Sequence, residues 1–479
     1  MRSLIWFRRD LRLADNRALF EAASSSKQLA GLYFVTPDQW DLHDESPAKL
    51  AFWHQNLVCL HERLNRLNIP LLLVEVKGFA EIPEKLVEIA ELSRAERVYF
   101  NHEYEFNERQ RDEKTLLALK KAGVEALAFH DRLLIQPGRV LTGQDKPYTV
   151  YTPFRNNWAK QIFKNDIRVL TEPAPLQKWP IADEISELSK HLFEKRSWNP
   201  CSHASSEWCL PGEVTAHSRL RYFVGQLVEK YDHDRDYPAQ DGTSRLSPYL
   251  AAGVLSSRQC LAEILVSQKN GQLPDFSSGS GSWLNEIIWR DFYSHVMVAF
   301  PRVSKGLPFQ LITEKVKWRY DEKQLQAWQQ GLTGYPIVDA AMRQLQQTGW
   351  MHNRLRMIAA MFLSKHLLLD WRLGERHFMK LLLDGDLAAN NGGWQWSAST
   401  GTDAAPYFRV FNPFSQSQKF DAAGSFIRKF CPELEPISAK ALHDPELLKT
   451  EVRFYKIDYP EPVVEHSAAR ARAIAAFKK

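Results

Sequence analysis

The densest run of chemistry-bearing residues lies from Asp384 to Trp396, where Asp-Gly-Asp-Leu-Ala-Ala-Asn-Asn-Gly-Gly-Trp-Gln-Trp places two acids, two amides and paired glycines ahead of two tryptophans. Glycines let the backbone approach a ligand closely, and the acids and amides give it polar partners. Asp384 and Asp386 could instead hold a divalent cation. No third ligand follows at calcium-loop spacing, so no metal site is expected. A second constellation starts at Trp283: at helical spacing Trp283, Glu286 and Arg290 share one face, with Trp289 beside them. A carboxylate on an aromatic wall can stay protonated and donate a hydrogen bond to a carbonyl; a plain salt bridge is the competing arrangement. The third is Trp350-Met351-His352-Asn353-Arg354-Leu355-Arg356-Met357. As a helix it puts Met351, Leu355, Ile358 and Phe362 on an apolar stripe and Trp350, Asn353, Arg354 and Met357 on another face, where the bland alternative is a merely wet surface. Finally, Thr243-Ser244-Arg245-Leu246-Ser247 offers hydroxyls and backbone donors to an anionic ligand such as a diphosphate, or simply caps a helix.

These groups need elements to position them. Helical spacing dominates from about residue 213 to the end. Tyr335-Pro336-Ile337-Val338-Asp339 opens one helix with Ile337, Ala341 and Leu345 facing inward, and Gly349 sits where a left-handed C-terminal cap belongs. The first 130 residues alternate instead between short apolar runs (Leu4 to Phe7, Leu32 to Val35, Leu71 to Val76, Val98 to Phe100, Val124 to Phe129) and helical stretches (Ala48 to Leu67, Ile82 to Leu92, Glu108 to Ala122). That rhythm predicts a parallel sheet covered by helices, with ligands at the carboxyl ends of its strands. Between 131 and 212 the period is lost among eight prolines, from Pro137 and Pro147 to Pro200 and Pro211, as in a long connector. The expected organisation is an α/β unit over 1–130, a connector over 131–212 and a helical unit over 213–479.

Composition narrows the class. The 479 residues carry a net charge of +5, which excludes a polycationic coat. Five scattered cysteines without a C-x-x-C pair fit reduced thiols rather than a disulfide framework. The N-terminal apolar run stops at Arg8-Arg9-Asp10 and no later segment is long enough to span a bilayer, so a soluble cytoplasmic protein is expected. No dinucleotide or P-loop glycine fingerprint, zinc-protease motif or serine nucleophile elbow occurs. Tryptophan is abundant, and eight of the 15 lie between residues 283 and 396. Together the constellations suggest a helical domain that buries a large planar cofactor beside an aromatic, cation-bearing cavity. Stacking of roughly 1–3 kcal/mol per base on two exposed tryptophans would largely offset the few kcal/mol needed to extrude a base pair. Arg235, Arg354 and Arg409 suffice for a local nucleic-acid patch despite the modest net charge.

Trp6-Phe7-Arg8-Arg9-Asp10-Leu11-Arg12, Thr243 to Ser247, Trp283 to Arg290, Thr333-Gly334-Tyr335-Pro336, Trp350 to Met357 and the long stretch Asp384 to Pro406 resemble the DNA photolyase/cryptochrome family over nearly the whole chain. The likeness is greatest to class I bacterial-type cyclobutane pyrimidine dimer photolyases. It implies a Rossmann-like α/β antenna domain and a large all-α domain holding FAD. It implies too a light-driven reaction in which photoexcited reduced FAD passes an electron to a flipped-out dimer in UV-damaged DNA. By matching motifs, Tyr231, Thr243, Ser244, Arg245, Leu246, Ser247, Trp283, Arg290, Arg356, Asp384, Gly385, Asp386 and Asn390 would hold FAD, with Arg356 paired to Asp384 and Asn390 beside the reactive ring nitrogen.

In the same reading Trp289 and Trp396 flank the dimer, Glu286 hydrogen-bonds a pyrimidine carbonyl, and Asn353, Arg354 and Met357 line the pocket. Arg235 and Arg409 grip phosphates. Trp394, Trp371 and Trp318 match an electron relay from flavin to surface, whose alternative is hydrophobic packing. Trp283, Trp328 and Trp350 remain as pocket or core. His43, Asn107, Glu108 and Lys305 match a methenyltetrahydrofolate antenna site, a deazaflavin being the alternative chromophore. A (6-4) photolyase would carry histidines where Asn353 and Met357 stand, and a signalling cryptochrome would extend beyond Lys479. A DASH-type cryptochrome acting on single-stranded DNA stays open. The resemblance further implies a monomer without an obligate protein partner, associated with the nucleoid through DNA.

Overall fold

The structure, a computed structural model, describes residues 1–180, 208–268 and 271–478. The stretch 181–207 of the expected connector, with Cys201, lies outside the described residues. The chain opens with β1 (Arg2–Phe7), α1 (Arg17–Ser25), β2 (Gln28–Val35), α2 (Pro47–Arg66), β3 (Leu71–Glu75), α3 (Ile82–Ser93), β4 (Arg97–Asn101), α4 (Phe106–Lys121) and β5 (Glu125–Phe129). The five strands form one parallel sheet in the order β3-β2-β1-β4-β5. Every apolar run of the sequence lands on a strand. Helix α1 gives a weaker signal, being short; it starts because the Asn16 side chain accepts a hydrogen bond from the Leu19 amide. In β1, Ile5 and Phe7 face one core cluster while Leu4 and Trp6 face another, so both faces are buried, as a parallel sheet requires. The strand order reverses direction between β1 and β4, which opens a crevice at their carboxyl ends.

The expected connector contains a helix, α5 (Tyr151–Gln161), that packs into the helical unit: Trp158 is fully buried and its indole N–H donates to Asp291 Oδ2 at 3.0 Å. Its residues follow Pro147 and include Pro153, which hid the helical period; Pro153 lies in the first turn, where a missing N–H costs nothing. The elements that matter beyond it are α6 (Ser247–Ala252), α7 (Gly279–Ala299), α8 (Pro336–Thr348), α9 (Asn353–Met361), α10 (Trp371–Met379), α11 (Leu387–Ala398) and α12 (His466–Phe477). Helix α8 runs from Pro336 to Thr348, and Gly349 ends it at φ 65°, its N–H closing on Leu345 O at 2.9 Å. Among the described residues every strand lies before residue 130, and no helix is long and apolar enough to cross a membrane.

The two units share a core and a buried charge network. The face of the sheet that carries Ile5 and Phe7 is continuous with Leu284, Ile288 and Phe292 of α7. Arg258 bonds Asp15 at 3.0 Å and Asp131 at 2.5 Å, while Arg12 bonds Asp131 and, at 2.9 Å, Gly253 O. Buried ions that are mutually paired hold the two units in one register, since separating them would leave charges unpaired in apolar surroundings.

Candidate active site

Helices α7 and α11 lie against each other, and Gly392 makes the contact possible: a Cβ there would sit 2.3 Å from the Tyr293 ring. The next residue looks the other way. Gly393 is exposed with no atom within 4 Å of where its Cβ would be, and Ala389, one turn earlier, is exposed too. A helix in the middle of the domain thus presents a bare, small-residue face to a cavity. Asp386 caps that helix by accepting from the Ala389 N–H at 3.1 Å, and it is bonded to Arg132. Asp384 receives both Arg356 contacts, at 2.8 and 3.0 Å. The Asn390 amide donates to Glu375 O at 3.0 Å and the Asn391 amide to Glu375 Oε1 at 2.7 Å; burial pushes the Glu375 carboxyl up to about 7.

Several donors here bond no carboxylate. Among the described residues the hydroxyls of Thr243, Ser244 and Ser247 make no hydrogen bond within the protein, although Arg219 holds the carbonyls of Thr243 and Ser244 at 3.0 and 2.9 Å. Arg290 bonds only neutral oxygens: Arg132 O at 3.0 Å, Leu250 O at 3.1 Å and Ser257 Oγ at 3.3 Å. Burial, and then the neighbouring Arg132, bring its pKa down to about 10. The indole N–H of Trp394 is buried without a partner. Tyr231 and Trp283 are buried against Phe223, at ring separations of 5.7 and 5.1 Å. A half-buried cation bonded only to neutral oxygens, idle hydroxyls and an orphaned indole N–H fit a bound anionic ligand with a planar portion.

The rim carries two ion pairs. Arg235 donates to Glu286 Oε1 at 2.8 Å, and Arg354 to Asp236 at 2.6 Å. The salt bridge that competed with a free Glu286 is therefore formed, yet burial still raises this carboxyl above the ordinary range while Arg235 pulls it back. Asn353 is exposed, and Met357 Sδ lies 3.8 Å from Arg354. Helix α9 starts only at Asn353, because His352 caps it by accepting from the Arg354 N–H at 3.2 Å. Trp350 consequently leaves the expected face and packs on Trp208 at 5.8 Å, with Arg245 over its ring at 5.6 Å. Trp289 and Trp396 are both partly exposed. Arg409 is exposed next to Phe408, which is 57% exposed, an aromatic and cation pair that suits a nucleic-acid surface and that no spacing rule singled out.

Trp394 and Trp371 are 2% and 1% exposed, while Trp318 reaches the surface in part and touches Phe477 of α12 at 5.9 Å. Gly374, one turn after Trp371 on α10, gives Trp394 its space: a Cβ there would lie 2.0 Å from the indole. Trp328 packs edge-on against Trp394 at 5.9 Å. All four belong to one apolar cluster.

At the sheet's crevice His43 Nε2 meets Gln39 at 2.8 Å and Asn107 at 3.0 Å, and its Nδ1 lies 3.7 Å from Glu108. Lys305 reaches across from the helical unit to 3.9 Å from the Phe106 ring, and the Phe106 N–H donates to Ser304 at 3.1 Å. The four residues therefore come together at the junction of the units. Burial lowers the His43 imidazole, and raises Glu108 to about 8 with help from Glu105.

The first 176 residues, from 3 onward, match the family model described as DNA photolyase, and residues 283–479 match that of the FAD binding domain of DNA photolyase. A deoxyribodipyrimidine photo-lyase of Salmonella typhimurium is 47% identical, over 99% of this chain and 98% of its own length. The chain belongs to the DNA photolyase family. Solved relatives include a class III photolyase from Agrobacterium tumefaciens (TM-score 0.86, 34% identity, covering 99% of this chain and 97% of that one) and a Synechocystis cryptochrome (TM-score 0.87, 29% identity, 99% of each). The protein is an FAD-dependent photolyase, and its residues suit that group: Arg290 and the idle hydroxyls are donors that would hold a diphosphate, and the bare face of α11 leaves open space for a ring. Two contributors escaped sequence reasoning. Tyr151 stacks on Trp289, and Arg132 joins Asp386 to Glu105 across the units; both come from the stretch read as connector, where no periodicity pointed to them.

Proposed function

We propose that this photolyase splits cyclobutane pyrimidine dimers in duplex DNA. The observation that carries this reading is the Arg235–Glu286 pair at 2.8 Å on a rim that also holds partly exposed Trp289. When bound, reduced FAD supplies the light-driven electron that opens the cyclobutane ring and accepts it back. Thr243, Ser244, Ser247 and Arg290 bind the cofactor's diphosphate, and Asn390 presents a neutral amide rather than a carboxylate, which tolerates an anionic reduced ring. Arg245, Leu246, Gly385, Tyr231 and Trp283 shape the surrounding wall, and the Arg356–Asp384 pair keeps it in place.

Arg235 and Arg409 bind phosphates, and this has a consequence for Glu286. A phosphate that draws Arg235 away removes the partner which lowers the Glu286 pKa, so burial shifts the carboxyl further toward its protonated form. Protonated Glu286 donates to a pyrimidine carbonyl and offsets negative charge developing there. Trp289 and Trp396 hold the extrahelical bases by stacking, while Asn353, Arg354 and Met357 exclude water. Trp394, Trp371 and Trp318 carry electrons from the surface toward the cofactor when it needs reduction. His43, Asn107, Glu108 and Lys305 hold a methenyltetrahydrofolate antenna. The reading includes a monomer in the cytoplasm, associated with the nucleoid through DNA.

The test is repair by the purified, FAD-loaded and reduced protein under near-UV light, on dimer-bearing duplex and single strands. Glu286→Ala is expected to lower the quantum yield of repair more than DNA affinity. Equal yield in the variant contradicts the role given to Glu286, and repair confined to single strands overturns the duplex assignment.

A further inference from the structure

Tyr151 belongs to none of the constellations above, yet its contacts tie both tryptophan walls together. Its ring lies on the Trp289 indole with centroids 3.6 Å apart and planes 7° apart. Its hydroxyl donates to Asn285, on the same helix as Trp289, lying 2.9 Å from Oδ1 and 3.0 Å from the carbonyl oxygen. Its main-chain N–H donates to Asp403 Oδ2 at 3.0 Å, and two residues earlier Thr149 O accepts from the Thr402 hydroxyl at 2.5 Å. The loop that supplies Thr402 and Asp403 is itself fastened to Trp396, whose carbonyl accepts from the Ala405 N–H at 3.1 Å. One strap, residues 149–151, is thus bonded to α7 at one end and to the loop leaving α11 at the other.

We infer that Tyr151 is a positioning residue that backs Trp289 and fixes its ring relative to Trp396, setting the width of the slot that receives a flipped dimer. The inference rests on the proposed role of the two tryptophans as walls. An indole with two free torsions would otherwise have to be ordered when substrate binds, and a stacked, hydrogen-bonded phenol meets that cost during folding instead. The phenol is satisfied by Asn285, so it can be buried there without penalty. Undamaged duplex meets the cationic rim but keeps its bases stacked, so it never enters the slot; the effect of Tyr151 is confined to damaged DNA.

The experiment compares FAD-loaded full-length Tyr151→Ala, Tyr151→Phe, Asp403→Ala and Trp289→Ala with wild type, using fluorescence anisotropy on a duplex holding one thymine dimer and on the same duplex undamaged. Tyr151→Ala is expected to weaken dimer binding about tenfold, with undamaged affinity and FAD content at wild-type levels. Tyr151→Phe, which keeps the stack and gives up only the bonds to Asn285, is expected to retain most of the wild-type ratio of damaged to undamaged affinity. Asp403→Ala removes one of the two bonds between strap and loop, leaving the Thr402–Thr149 bond and the ring in place, and shows the same selective loss in smaller measure. Equal losses on both duplexes, or wild-type discrimination in Tyr151→Ala, overturn the inference; if Tyr151→Ala fails to fold, wild-type discrimination in Asp403→Ala does so. Wild-type dimer affinity in Trp289→Ala instead overturns the wall assignment, and loss there with full discrimination in both strap variants overturns the positioning role alone.

Discussion

The sheet's crevice and the space in front of α11 are lined by the same kinds of residue, arginines, carboxylates and aromatic rings, but their arginines bond different partners, carboxylates in the first and neutral oxygens in the second. At the crevice most charges are paired with one another: Arg9 bonds both Glu103 and Glu105 at 2.5 Å, Arg111 bonds Glu103 at 2.8 Å and Asp112 at 2.7 Å, and Arg8 bonds Asp112 at 3.1 Å, although Arg8 Nε and Nη2 and Asp112 Oδ2 stay without a partner. In the helical unit Arg290 has only neutral oxygens, three hydroxyls are idle and the Trp394 indole N–H is orphaned. A self-neutral cavity folds equally well full or empty. A cavity with leftover donors is completed by its ligand, and a buried anion there contributes to folding as well as to chemistry. FAD thus completes the helical unit, whereas a ligand at the crevice would be the more easily removed.

The largest effect is expected at the residue that joins the two regions. Arg132 bonds Glu105 at 2.8 Å and also Asp386, so Arg132→Leu leaves buried Asp386 without its ion-pair partner and Glu105 with Arg9 alone, and should cost about 3–5 kcal/mol in urea unfolding. A single unfolding transition of wild-type stability in that variant would show the two regions to be independent of it. Next, Gly393→Phe fills the open space before α11 and is expected to weaken FAD retention about a hundredfold with helix content unchanged by circular dichroism. Its antenna-side counterpart, Asn107→Ala, should keep flavin absorbance and lose only antenna absorbance; loss of flavin there would erase the contrast.

A smaller effect belongs to the path out of the flavin cavity. Trp318→Phe should slow flavin photoreduction about tenfold while repair by chemically reduced protein persists, and unchanged photoreduction removes Trp318 from the path. The smallest lies in the crevice. Burial, with Glu105 adding to it, raises Glu108 to about 8, so its contribution to stability is present below the unfolded value and is lost as pH rises from there through about 8. Relative to Glu108→Gln, wild type should lose stability over that window, since the raised value already includes the opposing pull of Arg9 and Arg111. Parallel urea midpoints for the two proteins across pH 5–8 would place that carboxylate in an ordinary state.

The sheet was legible because strands buried on both faces need unbroken apolar runs, as β1 to β4 carry, while the edge strand β5 carries one although it is only half-buried. The α8 boundaries were legible because Pro336 and Gly349 have conformational preferences that do not depend on their surroundings. Helix α9 began later than periodicity suggested, since His352 spends its side chain on the cap and Trp350 goes to Trp208. Helix α5 was masked by its flanking prolines, and with it Tyr151 and Trp158. The residue types at the site could be named from spacing and resemblance, but pairing could not: Arg235 with Glu286, Arg354 with Asp236 and Arg132 with Asp386 join positions 51, 118 and 254 residues apart.

The amino-acid sequence by itself determined which segments become strands and helices, where α8 stops, and that carboxylates, amides and tryptophans crowd onto two helices, because those properties are local and follow from side-chain volume, backbone freedom and period. Only the tertiary structure decided which charges are spent on one another and which are left for a ligand. Partner choice among ions depends on burial and on atoms brought close by the whole fold. The crevice and the flavin cavity draw on the same residue types, and they differ because the chain packs Arg9 between two glutamates and leaves Arg290 among carbonyls.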